Sequence, residues 1–171
     1  MAHFAKIGLN NQVIYVTFVE DKYCLNAAGV EDEEVGVQHL ERLHGWPLWK
    51  KCSWGTSGNK HYTLNTQTGI RELSEDQSKA YRGNFPGIKF IWDEDRQIFY
   101  RKKENESDVW NNDTCSFTYC VPRPSVNSYL NNFPNVDLML FWNEGLVTWQ
   151  GFQKNNPANN YTWNKNLNVW Q

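Results

Sequence analysis

The sequence predicts an α+β fold that is mostly β, an antiparallel arrangement of sheets and hairpins with one short helix in its first half, at about residues 31–44. Three observations predict it. Trp92, Trp110, Trp142 and Trp163 are each followed by Asp or Asn, and each has an aromatic residue seven positions on: Phe99, Phe117, Trp149 and Trp170. Six intervening residues let a central turn set the two aromatics opposite each other on one face of a β-hairpin. A single segment carries helix start and stop signals, and the chain opens on two β-branched and aromatic runs split by an Asn-rich turn.

That opening gives a first hairpin, residues 4–7 and 13–19 around Leu9-Asn10-Asn11-Gln12, where Asn tolerates a positive φ at low cost. Next, Glu31-Asp32-Glu33-Glu34 precedes Val35, Val37, Leu40 and Leu43, with Arg42 and His44 late and Gly45 just after. Acidic residues first, basic residues last and glycine at the stop suit a helix dipole and a C-terminal cap. Residues 46–54 form a strand bearing alternate bulky side chains, and 55–60 a turn into His61-Tyr62-Thr63-Leu64. Residues 65–80, polar and charged, read as a surface excursion with weak helical potential near its end.

The four aromatic hairpins follow, and their turns agree with the assignment, since Asp93-Glu94-Asp95-Arg96, Asn111-Asn112-Asp113, Asn143-Glu144-Gly145 and Asn164-Lys165-Asn166 are rich in turn formers. Cross-strand aromatic pairs add roughly 0.5–1.5 kcal/mol beyond burial. Trp92, Phe99, Trp110 and Phe117 are therefore expected as structural pairs. Val121-Pro122-Arg123-Pro124-Ser125, the Asn-rich stretch after it, and residues 154–160 read as linkers, so that the chain divides into a β-rich α+β domain, 1–103, and an aromatic hairpin region, 104–171. Lone hairpins are marginal in water. Trp142, Trp149, Tyr161, Trp163 and Trp170 are accordingly expected to face a partner chain, with folding back onto the same chain as the alternative.

Composition narrows the function. Aromatic residues make up 15% of the 171, nine of them Trp, yet apolar runs stay short: the longest, Leu138 to Trp142, is five residues. A membrane-spanning helix needs about 20. Net charge is −2 with both signs interspersed, and no basic stripe for a phosphate backbone is present, so neither nucleic acid nor a membrane is expected as a partner. The amino terminus lacks the basic and apolar regions of a signal peptide, and synthesis in a cytoplasm is expected. Cys24, Cys52, Cys115 and Cys120 are too sparse for a disulfide scaffold and read as reduced.

No catalytic pattern stands out. His3, His39, His44 and His61 have no metal-ligand spacing, the acidic run at residues 31–34 is explained by a helix start, and no phosphate-binding or nucleophile-elbow glycine motif occurs. The expectation is a non-enzyme with no catalytic residue, no metal and no cofactor. The tryptophans read as core, with sugar-stacking platforms as the competing assignment.

Several blocks resemble a family of small virion structural proteins from marine tailed bacteriophages, cyanophages among them. Met1-Ala2-His3-Phe4-Ala5-Lys6-Ile7 and its following strand are similar to the family's opening, and residues 29–37 to its helix segment. Trp49-Lys50-Lys51-Cys52-Ser53-Trp54 resembles a Trp-x-Gln-Thr-Ser-Tyr block, and Arg82-Gly83-Asn84-Phe85-Pro86-Gly87-Ile88-Lys89-Phe90-Ile91-Trp92-Asp93 an Arg-x-Asn-Tyr-Ala-Gly-Ile-Gly-Tyr-x-Tyr-Asp block. Asn112-Asp113-Thr114-Cys115, Val121-Pro122-Arg123-Pro124 and Tyr161-Thr162-Trp163-Asn164 match its later motifs in order. Departures are the insertion at 66–81, Arg101-Lys102-Lys103-Glu104 in place of a Pro-Lys-Pro turn, and the extra hairpin at Trp142.

The resemblance implies an accessory virion protein carried in multiple copies, with major capsid or tail proteins as partners and the virion as its location after synthesis in the host cytoplasm. Capsid decoration is the first expectation, a tail, baseplate or fibre-associated role the second. A carbohydrate-binding receptor module for a host glycan is the alternative from another class.

Overall fold

A computed structural model describes residues 1–124 and 138–171. The fold is mostly β with antiparallel sheets and one α-helix, as the sequence predicts. The chain forms two compact units, one of Met1–Lys102 with Trp110–Phe117, the other of Lys103–Val109 with Thr118–Gln171. The second aromatic hairpin's ring pair thus belongs to the first unit, whereas the sequence reading put it after the boundary at residue 103.

In the first unit, β1 (Ala2–Ile7) pairs with β2 (Val13–Val19) on one side and β3 (Trp49–Cys52) on the other, both antiparallel. Strand alternation sends Ala2 and Phe4 to one face and Ala5 and Ile7 to the other. Both faces are covered. On one, Phe4 packs with Val19, Cys24, Leu40 and Trp49 beneath α1 (Glu33–His44); on the other, Ala5 and Ile7 pack with Val13, Cys52, Trp92 and Phe99. β1 is therefore a central strand with no exposed residue.

The helix begins where its chemistry directs. Asp32, in extended conformation, accepts the Glu34 N–H on Oδ1 at 2.9 Å, and Gly45 closes the helix at φ 60° with its N–H on the Glu41 carbonyl. Gly36 sets how near α1 lies to β1, because a Cβ there would stand 2.5 Å from Phe4 Cζ. The acidic start also reaches outward: Glu33 forms a two-pronged pair with Arg82 at 2.6 and 2.9 Å and accepts the Lys51 N–H, while Glu31 pairs with Lys51 Nζ at 2.9 Å.

Beyond β3, three short strands, β4 (Thr56–Ser57), β5 (Lys60–Leu64) and β6 (Arg71–Leu73), form a meander. The region expected to be an excursion with weak helical potential thus contributes β6, whose Leu73 and Arg71 pair with Tyr62 and Leu64. The hairpins β7 (Ile91–Asp93) with β8 (Ile98–Tyr100), and β9 (Val109–Asn111) with β10 (Ser116–Thr118), follow.

In the second unit, β11 (Leu138–Asn143), β12 (Thr148–Gln153), β13 (Asn156–Asn164) and β14 (Val169–Trp170) form one antiparallel sheet in sequential order. Residues 154–160 were expected to be a linker. Instead 154–155 form a turn and β13 takes in 156–160, pairing Asn160 with Phe152 and Asn156 with Gln153 across a bulge, because sheet hydrogen bonding outweighs a composition that would otherwise favour a loop. The Val121 stretch is a loop whose Pro122 and Arg123 are exposed, as expected, while Val121 and Pro124 are buried and Val121 joins a core of Leu138, Trp149, Trp163 and Trp170. Residues 125–137, expected to be linker, lie outside the described residues.

Candidate functional site

All four aromatic repeats close as hairpins with one turn geometry. Trp92 pairs with Phe99, Trp142 with Trp149 and Trp163 with Trp170, and the Trp110 and Phe117 rings meet edge-to-face at 5.3 Å. The residue after each tryptophan caps the turn: Asp93, Asn111, Asn143 and Asn164 each accept, on Oδ1, the backbone N–H three residues on, at 2.9 to 3.2 Å. The fifth residue after each tryptophan is left-handed: Gln97, Cys115, Val147 and Asn168 have φ of 55°, 47°, 50° and 53°. Asp and Asn suit this position because a short side-chain acceptor satisfies a turn N–H this near, and a carboxylate or amide oxygen does so better than a hydroxyl.

Three copies add an indole hydrogen bond. The Nε1–H groups of Trp92, Trp110 and Trp142 donate to Glu94, Asn112 and Glu144, two residues on. In the fourth, Lys165 stands there and offers no acceptor. These bonds hold Glu94 and Glu144 below the usual glutamate pKa; the Trp92 indole is the largest cause for Glu94, and the Ser107 hydroxyl, then the Trp142 indole, for Glu144.

The structure assigns the expected site residues differently from the sequence reading. Trp92 and Phe99 form a buried pair at 4.8 Å, and Trp110 and Phe117 a half-buried one packed on Tyr100, so both are structural. Trp149, Trp163 and Trp170, expected at a partner interface, are buried in the core of their own unit, with Trp142 and Tyr161 half-buried against them. The reason is the β12 to β13 pairing: once the two hairpins share a sheet, their aromatic faces cover each other, and Tyr119 packs on Trp142 and Trp149 at 5.0 and 4.6 Å. The Trp149 indole donates to the Val121 carbonyl at 3.0 Å. What this sheet leaves outward is Met139 and Phe141 of β11, 50% and 41% exposed, with Phe152 beside Phe141 at 6.1 Å.

The histidines are occupied with packing. His39 stacks on Tyr23 at 4.3 Å, His44 lies against Trp49, His3 meets Phe85 edge-on, and His61 is buried beside Gly55. All four cysteines are free thiols, with Cys52 pushed up to about 12 by burial. Among the described residues no three metal-ligating side chains converge, and no helix is long and apolar enough to cross a membrane.

The feature that sequence reasoning missed is a cleft of about 500 Å³ in the first unit, with Trp54, Arg71, Phe90, Arg101 and Phe117 among its walls. Asn84 lines it, and Asn59 lies next in the chain to Gly58. Asn84 accepts the Gly58 N–H and donates to the Phe99, Thr114 and Cys115 carbonyls, while Asn59 exchanges hydrogen bonds with Gly83 and donates to Cys115 Sγ. Two asparagines thereby tie the β4 to β5 turn, β8 and the β9 to β10 turn together. Gly58, at φ 57°, lets the Asp113 carbonyl approach where any Cβ would collide. The available signal was Trp54, a tryptophan outside the repeat and next to a Gly-Thr-Ser-Gly turn. No family model, no curated protein and no solved structure is matched by the chain.

Proposed function

We propose that the chain is an accessory structural protein of a tailed-bacteriophage virion, an assembly component rather than an enzyme, with capsid decoration ahead of a tail, baseplate or fibre position. The blocks resembling marine phage proteins run in order along most of the chain and support the virion assignment. The observation that carries an assembly role is β11. It is an edge strand of six residues with no charge and no proline, paired among the described residues with β12 alone, and its Met139 and Phe141 side chains stand in solvent beside Phe152.

Soluble proteins ordinarily protect such an edge with lysine, proline or a covering element. An unprotected edge beside an apolar face suits docking onto another virion protein, and many copies on a symmetric particle turn a modest contact into firm attachment. The partners are then major capsid or tail proteins. Mass spectrometry of separately purified, washed heads and tails tests the proposal: the protein is expected in one fraction at a fixed copy ratio, and its absence from both overturns it. Phe141→Lys is expected to leave the chain folded and lower its retention on particles.

A further inference from the structure

The cleft walled by Trp54 and Arg71 has a chemistry of its own. Of the nine tryptophans, eight are buried or half-buried; Trp54 is the exception, 55% exposed at the rim of this cleft. An indole more than half exposed beside a concavity presents a flat apolar face to water, and a pyranose ring's C–H face is the usual shape complement of such a surface. The volume, about 500 Å³, accommodates a short run of sugar rings.

The charge on the walls is of one sign. Among the described residues the charged ones lining the cleft are the arginines Arg71 and Arg101, with no carboxylate. Arg71 is held rather than loose: its Nη2 donates to the Gly55 carbonyl at 2.9 Å and its guanidinium lies 5.5 Å from the centre of the Tyr62 ring. That anchor uses one N–H of five and orients the rest, and a planar guanidinium fork matches a carboxylate or sulfate better than a neutral hydroxyl. Among the described residues Arg71 makes no ion pair. The Arg101 guanidinium stands over Phe90, 5.9 Å from the ring centre.

We propose that this cleft binds an acidic saccharide, with the Trp54 face against a sugar ring and the Arg71 fork on its carboxylate or sulfate. A nucleotide fits less well. Reading a base edge calls for an amide, and among the described residues the one side-chain amide lining the cleft, Asn84, is already consumed by four hydrogen bonds. The site is independent of whether the protein is carried on a particle, since it lies within one unit of the chain.

The test titrates the purified full chain with three oligosaccharides of equal length, one carboxylated, one sulfated and one neutral, following tryptophan fluorescence and saturation-transfer NMR. Saturable binding is expected for at least one acidic ligand, at least about tenfold tighter than for the neutral one and weakened by added salt. The acidic arm that binds identifies the anionic group. Trp54→Ala and Arg71→Gln, both changes of exposed side chains, are each expected to weaken that binding at least about tenfold with an unchanged circular dichroism spectrum. The proposal is overturned by no saturable binding of either acidic saccharide up to about 10 mM, by equal affinity for the neutral one, or by wild-type affinity in both variants.

Discussion

In the first unit the Trp92 and Phe99 pair presses on a sheet whose other face is covered by α1, whereas in the second unit the Trp142 and Trp163 hairpins share a sheet whose outward face keeps Met139 and Phe141 in solvent. The hairpin itself is the same in both, down to the capping Asp or Asn and the left-handed residue five after the tryptophan. What differs is the backing. A hairpin of this kind is a local device whose geometry is set by its own residues and whose burial is set by what it meets.

Replacement of the aromatic anchors gives the largest effect. Trp92→Ala is expected to cost about 3–5 kcal/mol in chemical denaturation, since it empties a fully packed site between β1 and β8. Trp163→Ala should cost less, because its core is smaller and more open at the edges. Equal losses at the two positions would break the comparison between the units.

Gly36→Ala tests the helix side of the first unit. Alanine improves helix propensity by about 1 kcal/mol. The new methyl would nevertheless crowd Phe4, and overpacking of about 1–3 kcal/mol is expected to win, giving a net destabilisation. A stabilised variant would show that α1 can move away from β1 at little cost.

A smaller gain is expected from Val147→Asn. Valine at φ 50° pays for its branched Cβ, and the fourth hairpin already carries Asn168 at the same step. Relief of about 1 kcal/mol should raise the denaturation midpoint of the second unit. No change would mean that Val147's side chain packing offsets its backbone strain.

The smallest effect is a pH dependence shared by the two units. Glu94 and Glu144 have folded pKa values below those of an unfolded chain, so their contribution is fully present above the ordinary glutamate range and is lost as pH falls through the depressed folded values. Glu94 is exposed and Glu144 half-buried at the surface, and the loss should be slight. The indole N–H signals of Trp92 and Trp142 in NMR are expected to titrate with midpoints below the ordinary glutamate value, and Glu144→Gln should abolish the Trp142 transition. A midpoint at or above that value would refute the hydrogen-bond account.

The elements legible in the sequence are those whose cause is local. The seven-residue aromatic spacing revealed each hairpin, and Asp32, Arg42, His44 and Gly45 revealed the helix, because turn caps and helix caps act within a few residues of chain. The Trp54 cleft was not legible, since Arg71, Phe90 and Phe117 reach it from separate strands and loops that only long-range pairing brings together.

The fate of the aromatic faces shows the same division. That Trp142 stands opposite Trp149 and Trp163 opposite Trp170 follows from local residues alone, through two-residue periodicity and a capped turn. That these rings face inward as core, rather than outward to a partner, follows from long-range strand pairing. That outcome rests on β13 pairing with β12 through a segment of Asn, Pro and Ala whose side chains announce a loop. Backbone hydrogen bonds do not depend on side-chain identity, so the pairing leaves no mark in composition, yet it determines which face of the sheet is covered and which meets water.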